Sequence, residues 1–184
     1  MGRKYAIRNQ NAIYFITCTV VNWIELFTRG EYRKVVIESL KYYQLHKGLN
    51  VHAYCIMTSH IHLILSAEDG YDLSSIIRDF KSYTSTQLKK SIEESPKESR
   101  ESWLIWMFER AGKKNKRNSI FQLWQQHNHP IELNTNEIMN QRLNYVHNNP
   151  LEAGFVDDPN AWVWSSCAAY ERNDASEIEL VFIE

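Results

Sequence analysis

The sequence predicts an α+β domain in which helices pack on an antiparallel sheet. Three features point there. Residues 12–21 form a β-branched and aromatic run, two short apolar segments are separated only by Thr58 and Ser59, and the longer stretches repeat their apolar residues at helical spacing.

Residues 12–21 read Ala-Ile-Tyr-Phe-Ile-Thr-Cys-Thr-Val-Val, without Gly or Pro, and are expected as a strand. A helix follows over 31–46, where Val35, Val36, Ile37, Leu40 and Tyr43 make a broad apolar face and Gly48 is placed to end it. Residues 50–57 and 60–66 then pair as a hairpin. Asp72 is placed to cap a helix whose Leu73, Ile76, Ile77, Phe80 and Tyr83 mark one face. Over 91–118 the pattern weakens into Ser, Glu, Lys and Arg, interrupted by Trp103-Leu104-Ile105-Trp106-Met107-Phe108; this reads as a loose insertion holding an amphipathic turn or more. Residues 131–133 suit a strand edge. Asn134 or Thr135 opens a helix through Ile138, Met139, Leu143 and Val146 that is expected to end near Asn149, because Pro150 follows. A turn at Asp157-Asp158-Pro159-Asn160, a segment at 162–166 and a last apolar run at 180–183 complete the chain. One domain is expected over 1–170, with an acidic tail at 171–184.

At 184 residues and 43% hydrophobic, the chain can bury a core without staples. Cys18, Cys55 and Cys167 are odd in number and widely spaced, which argues against a disulfide-built secreted domain or a zinc knuckle. No run approaches the roughly 20 apolar residues of a membrane span, and the first residues lead into polar sequence, so a cytoplasmic protein is expected. The net charge of −1 conceals an asymmetry. Up to Pro150 there are 20 bases against 14 acids, and beyond it Arg172 alone stands against eight acids. A basic body suits a polyanionic partner, though solvated charge gives the same count.

Four groups of residues could carry chemistry. His60 and His62 lie two apart on a strand, so both imidazoles leave the same face with Ile61 behind them; the pair is either an incomplete metal site or the polar face of an edge strand. Tyr145 and Asn149 are four apart and share a helix face, as a nucleophile and an orienting group would, or as a core aromatic and a helix terminator would. Arg110, Lys113, Lys114, Lys116 and Arg117 stand among Trp103, Trp106, Phe108, Phe121 and Trp124, a mixture suited to phosphate contact and base stacking or to a solvated loop beside core aromatics. Arg78, Lys81 and the arm from Arg3 to Arg8 offer a second basic path. Gln125, Gln126, His127 and His129 form a polar cluster before Pro130, suited to a metal, a phosphate or an ordinary loop.

Together these pieces resemble a family. Ser59-His60-Ile61-His62-Leu63-Ile64, then Leu123-Trp124-Gln125-Gln126 with His129, then the run from Leu143 through Tyr145-Val146-His147-Asn148-Asn149-Pro150 to Val156, are similar in content and order to the single-tyrosine HUH transposases, and most of all to the REP-associated tyrosine transposases. Asp157-Asp158-Pro159 and Trp162-Val163-Trp164-Ser165-Ser166 with Tyr170 extend the likeness, which spans 12–170.

The resemblance implies an RRM-like, ferredoxin-like sheet bearing the His pair, with the tyrosine on a helix laid across it. It makes His60, His62 and Asn149 the ligands of a divalent cation, magnesium or manganese, and Tyr145 the nucleophile. Many relatives carry glutamine where Asn149 stands; asparagine offers the same carbonyl on a shorter arm. The implied activity is nicking and rejoining of single-stranded, hairpin-forming DNA through a 5′-phosphotyrosine, by a nucleoid-associated protein acting alone or as a homodimer. Two other readings stand beside it: a catalytically silent single-strand-binding protein of the same fold, and a metal hydrolase using His60, His62, His127 and His129.

Overall fold

The computed structural model describes residues 6–115 and 120–183. The elements in chain order are β1 (Tyr14–Thr19), α1 (Gly30–Lys47), β2 (Leu49–Ile56), β3 (His60–Ala67), α2 (Leu73–Glu94), α3 (Glu101–Lys113), β4 (Ile131–Glu132), α4 (Asn136–Glu152) and α5 (Cys167–Arg172). Short 3-10 turns occupy Val21–Trp23 and Pro159–Ala161. The sheet order is β2-β3-β1-β4 and every neighbouring pair is antiparallel. β3 thus sits between the two strands of the β1-α1-β2 crossover, the split arrangement of an RRM-like sheet.

Strand alternation divides the side chains between two cores. Ile16 and Cys18 of β1 and Ile61, Leu63 and Leu65 of β3 face α1, α2 and α3, where they pack on Val36, Leu40, Phe80, Leu104 and Phe108. Phe15, Ala53, Cys55 and Ile64 face the other way and pack on Val146, with Ile138, Met139 and Leu143 beside it on α4. The helix starts obey the sequence: Ser75 N donates to Asp72 Oδ1 at 2.6 Å, and Ile138 N donates to Thr135 Oγ1 at 3.2 Å. Gly48 takes the left-handed φ of 62° that ends α1, and an added Cβ would strike the Tyr71 ring.

Three expectations change. The weakly patterned stretch is mostly helix: α2 runs on to Glu94, and α3 buries Leu104, Phe108 and Gly112. Tyr83 is exposed, and Thr84 takes its place on the buried face. Helix α4 does not stop at Asn149; Pro150 lies inside it and is buried. The helix closes beyond the proline, where Ala153 N donates to Asn149 O and Phe155 N to Pro150 O. The acidic tail is packed as well, since Ile178 is buried with the main core and Val181 N donates to Val51 O of β2.

Glu98, between α2 and α3, gathers this region. Its carboxylate accepts from Arg29 Nε, Arg100 Nε and Tyr32 Oη, each at 3.0 Å, and so ties the start of α1 to the α2-α3 link. Burial raises its pKa, but the hydrogen bonds from Arg100 and Tyr32, with the Arg100 charge, outweigh that and hold it at about 2. Because the folded value lies below the ordinary 4.5, this stabilisation is complete above pH 4.5 and is lost as pH falls towards 2. Glu98→Gln is expected to cost about 2 kcal/mol at neutral pH, read by urea titration, with the gap from wild type closing as pH drops below 4.5. Equal stability at pH 7 would show that the two arginines do as well in water.

Candidate active site

On β3, His60 and His62 both face α4, while Ile61 between them is fully buried on the opposite side. β3 is an interior strand, so the edge-strand reading of the pair does not hold. The register sets Thr17 and Thr19 of β1 beside His62 and His60. The Thr17 hydroxyl is 2.9 Å from His62 Nδ1; with its proton on Nδ1, His62 donates to Thr17 Oγ1 and turns the Nε2 lone pair outward. His62 Nε2 is buried and has no hydrogen-bond partner among the described residues. The His60 Nδ1 stands 3.1 Å from Ser59 Oγ.

Helix α4 covers the pair with a row of aromatic and cationic groups. The His60 and His62 ring centroids are 4.7 Å apart, and Tyr145 meets His62 edge-on at 5.1 Å. Phe15 stacks on His62 at 5.5 Å and takes the edge of Tyr145 at 5.8 Å. One turn along α4, Asn149 reaches His60 with its side chain. Burial lowers the His60 pKa while the Asn149 side chain raises it; burial above all, with the neighbouring His60 as a competing site for a proton, pushes His62 down to about 3. Both imidazoles are therefore held neutral, the form that ligates a metal. Tyr145 keeps enough of its surface open to meet a ligand.

The donor set tests whether a metal fits. An imidazole nitrogen that is buried and unpaired leaves a desolvation cost that a cation would remove; the second imidazole lies beside it, and the Asn149 side chain reaches that second ring. No group of three or more His, Cys, Asp or Glu among the described residues could hold an ion. A divalent cation thus fits with two imidazoles and Asn149, its remaining positions left to water or to substrate oxygens.

Arg142 belongs to the site although the sequence reading passed over it. Its guanidinium lies over the Phe15 ring at 5.3 Å and the Tyr145 ring at 5.9 Å, and its Nε is buried without a hydrogen-bond partner among the described residues. The signal was available: Arg142 precedes Tyr145 by three, on the same helix face. Thr17 was legible only once the β1-β3 register was known. Trp23 follows β1 and meets His60 edge-on at 5.4 Å, which no motif announces.

The other candidates sit elsewhere. Arg110, Lys113 and Lys114 end α3, which packs with α2 on the face opposite α4; Arg110 lies over the Trp106 ring at 5.2 Å. Lys116 and Arg117 lie outside the described residues. Arg78 is exposed and pairs with Asp79 at 2.9 Å. Lys81 is mostly buried, which lowers its pKa, and its Nζ donates to Gln125 O and Asn128 Oδ1, so it clamps the 125–128 segment rather than standing free. That segment runs along β1, with Gln125 N donating to Thr19 O and Thr17 N to Asn128 O. Between it and α2 lies a groove of about 930 Å³ that Arg78, Lys89, Phe121, His127 and His129 help to line. His127 and His129 approach each other at 6.1 Å there. They do not join the His60 pair in a metal-binding group, which removes the four-histidine hydrolase. His147 points away from Tyr145, and its Nε2 hydrogen-bonds Ser166 Oγ at 2.9 Å.

Comparisons with known proteins bear on the family and the fold. The family described as "Transposase IS200 like" matches residues 10–107. Among solved structures, that of a REP-associated tyrosine transposase bound to a REP hairpin aligns at a TM-score of 0.64 and 16% identity, covering 100% of this chain and 96% of that one. A structure from Deinococcus radiodurans R1, named provisionally as a transposase, aligns at 0.48 and 14% identity over 80% of this chain and 95% of its own. No curated protein matches. The first structural match establishes an α+β fold of the HUH-transposase type.

The two histidines are expected to differ in what they do for stability. His62 is 3% exposed and wedged against Phe15 and Tyr145, whereas His60 opens the strand and is only partly covered. His62→Ala should cost about 2 kcal/mol and His60→Ala less than about 1, by urea titration. Equal losses would mean that the packing around His62 collapses to fill the gap.

Proposed function

The chain belongs to the IS200-like transposase family, and on that premise we propose that it nicks and rejoins single-stranded, hairpin-forming DNA through a covalent 5′-phosphotyrosine at Tyr145. One observation carries this reading: Tyr145 and Asn149, one turn apart on α4, lie over a His pair whose inner member has an unpaired, buried Nε2. A hydrolase has no use for such a tyrosine. The solved tyrosine transposase named above is bound to a REP hairpin, which supports a hairpin as the DNA here too.

His60, His62 and Asn149 would hold the divalent cation, manganese being easier than magnesium for two imidazoles. When bound, the cation polarises the scissile phosphate and offsets its charge. Tyr145 Oη attacks phosphorus; the Oη–P bond forms, the P–O3′ bond breaks, the phenol proton passes to water and the departing 3′ oxygen takes one up. Arg142 lies against the Tyr145 ring, where its fixed positive charge is placed to meet the negative charge of the phosphate that Tyr145 attacks. Phe15 keeps the ring in place from below. Rejoining is the reverse attack by a second 3′ hydroxyl, and since the phosphotyrosine conserves the phosphodiester, no nucleotide triphosphate is consumed. Arg110, Lys113 and Lys114 at the end of α3, Arg78 on the groove, and Lys116 and Arg117 supply charge for the backbone phosphates, with Lys81 adding charge from beneath.

Incubation with a labelled single-stranded hairpin and manganese, run on a denaturing gel, should yield a protein-DNA adduct with wild type and none with Tyr145→Phe, while binding stays within a few-fold. An adduct from Tyr145→Phe would move the nucleophile to another tyrosine; binding without any adduct from wild type would favour the silent binding protein.

Arg142→Met, which keeps the apolar stem and removes the charge, should slow adduct formation by about ten- to a hundred-fold with binding little changed. An unaltered rate would assign Arg142 to packing alone.

A further inference from the structure

Trp23 is 59% exposed in a turn whose Val21, Ile24 and Leu26 are buried, so its indole stands out from an anchored segment. The turn that carries it is bolted to the strand start that carries His60. Val20 N donates to Ser59 O at 2.9 Å, Val21 N to Leu123 O at 2.8 Å and Phe27 N to Thr58 O at 2.8 Å. Within the turn, Asn22 and Trp23 both adopt left-handed φ, 56° and 55°. Asparagine tolerates that region, but a bulky ring residue seldom occupies it, and such strain persists only where the surroundings impose it. The result is an indole held beside His60, at the end of the His60, His62, Tyr145 row that lies away from the tyrosine.

We propose that Trp23 is a stacking platform for the nucleobase next to the scissile phosphate. The inference rests on the reading that single-stranded DNA places that phosphate at the His pair. A strand whose phosphate lies at His60 and His62 must carry its neighbouring base past one end of the row or the other. At the Tyr145 end, Phe15 and Arg142 already fill the space around the ring. At the other end Trp23 presents open aromatic surface. In-line displacement also sends the leaving 3′ oxygen away from Tyr145, so the base on Trp23 belongs to the nucleotide that departs with the 3′ hydroxyl. Stacking accepts every base, which lets one platform serve any sequence at this position.

The test separates stacking from phosphate contact. In the non-cleaving Tyr145→Phe background with manganese, fluorescence anisotropy compares a labelled oligothymidylate of about fifteen nucleotides with an abasic deoxyribose-phosphate strand of the same length. Adding Trp23→Ala should weaken binding of the oligothymidylate by about five-fold or more and leave the abasic strand unchanged. Trp23→Phe should restore most of the loss. Equal weakening on both strands, or none on either, overturns the platform. The chemical reading fails separately: if wild type forms no adduct on hairpin DNA while Trp23→Ala still loses only the base-dependent part, the platform stands and the nuclease does not.

Discussion

The pleat of β3 is the constraint on which the rest depends. Residues along a strand alternate faces, so once Ile61, Leu63 and Leu65 are committed to the core under α1 and α2, His60 and His62 must emerge on the other side. That side cannot then be closed by a continuous apolar layer. Phe15, Ala53, Cys55 and Ile64 give α4 an apolar seat at one end, where Val146 is fully buried, and the imidazoles hold the other end open. A helix seated in this way overhangs the His pair with whatever it carries on its near face, and that face is Arg142, Tyr145 and Asn149.

The rotation of α4 is fixed from behind. His147 turns its ring away from the row and hydrogen-bonds Ser166, whose hydroxyl is also within reach of Tyr54 N and O on β2. Ile56 N donates to Trp164 O and Ser166 N to Tyr54 O, so the segment that locks the helix also covers the open edge of the sheet. Arg33 of α1 lies over the Trp162 and Trp164 rings at 4.9 and 5.3 Å and draws the same segment against the first helix layer. One stretch after α4 thus closes the sheet edge and sets the angle at which Tyr145 meets His62.

Much of this was legible in the sequence because local chemistry agrees with the fold. The hairpin, the Asp72 cap, the Gly48 stop and the placement of Ile61 behind the His pair all follow from period and capping. What failed did so for tertiary reasons. Pro150 looked like a stop, but in the last turns of a helix the bonds it forfeits are few, and its ring is buried under the following turn. The 91–118 stretch looked loose because its polar residues dominate the count; three buried residues on one face and the Glu98 hub were enough to make a helix of α3. The burial of His62 could not be read from spacing, since it depends on Phe15 from another strand and Tyr145 from a helix more than eighty residues away.

Several irregularities of the molecule meet in one place. Among the described residues, three buried side-chain nitrogens lack a hydrogen-bond partner: Arg33 Nε, His62 Nε2 and Arg142 Nε. Arg33 is answered by two indole faces, a partner that a hydrogen-bond count does not register. Arg142 is answered in the same way by the Phe15 and Tyr145 rings, so of the three it is His62 Nε2, packed among those same rings, that is left without a partner of either kind. Asn22 and Trp23, two left-handed residues in succession, stand at the far end of that row. The fold therefore leaves a buried, unpaired imidazole nitrogen, a guanidinium against the neighbouring rings and a strained, exposed indole in one line. Single-stranded DNA bound as proposed would bring a base to the indole and a phosphate to the imidazoles and the guanidinium. One ligand would then meet all three groups, which is the physical reason to read them as one site and not as separate accidents of packing.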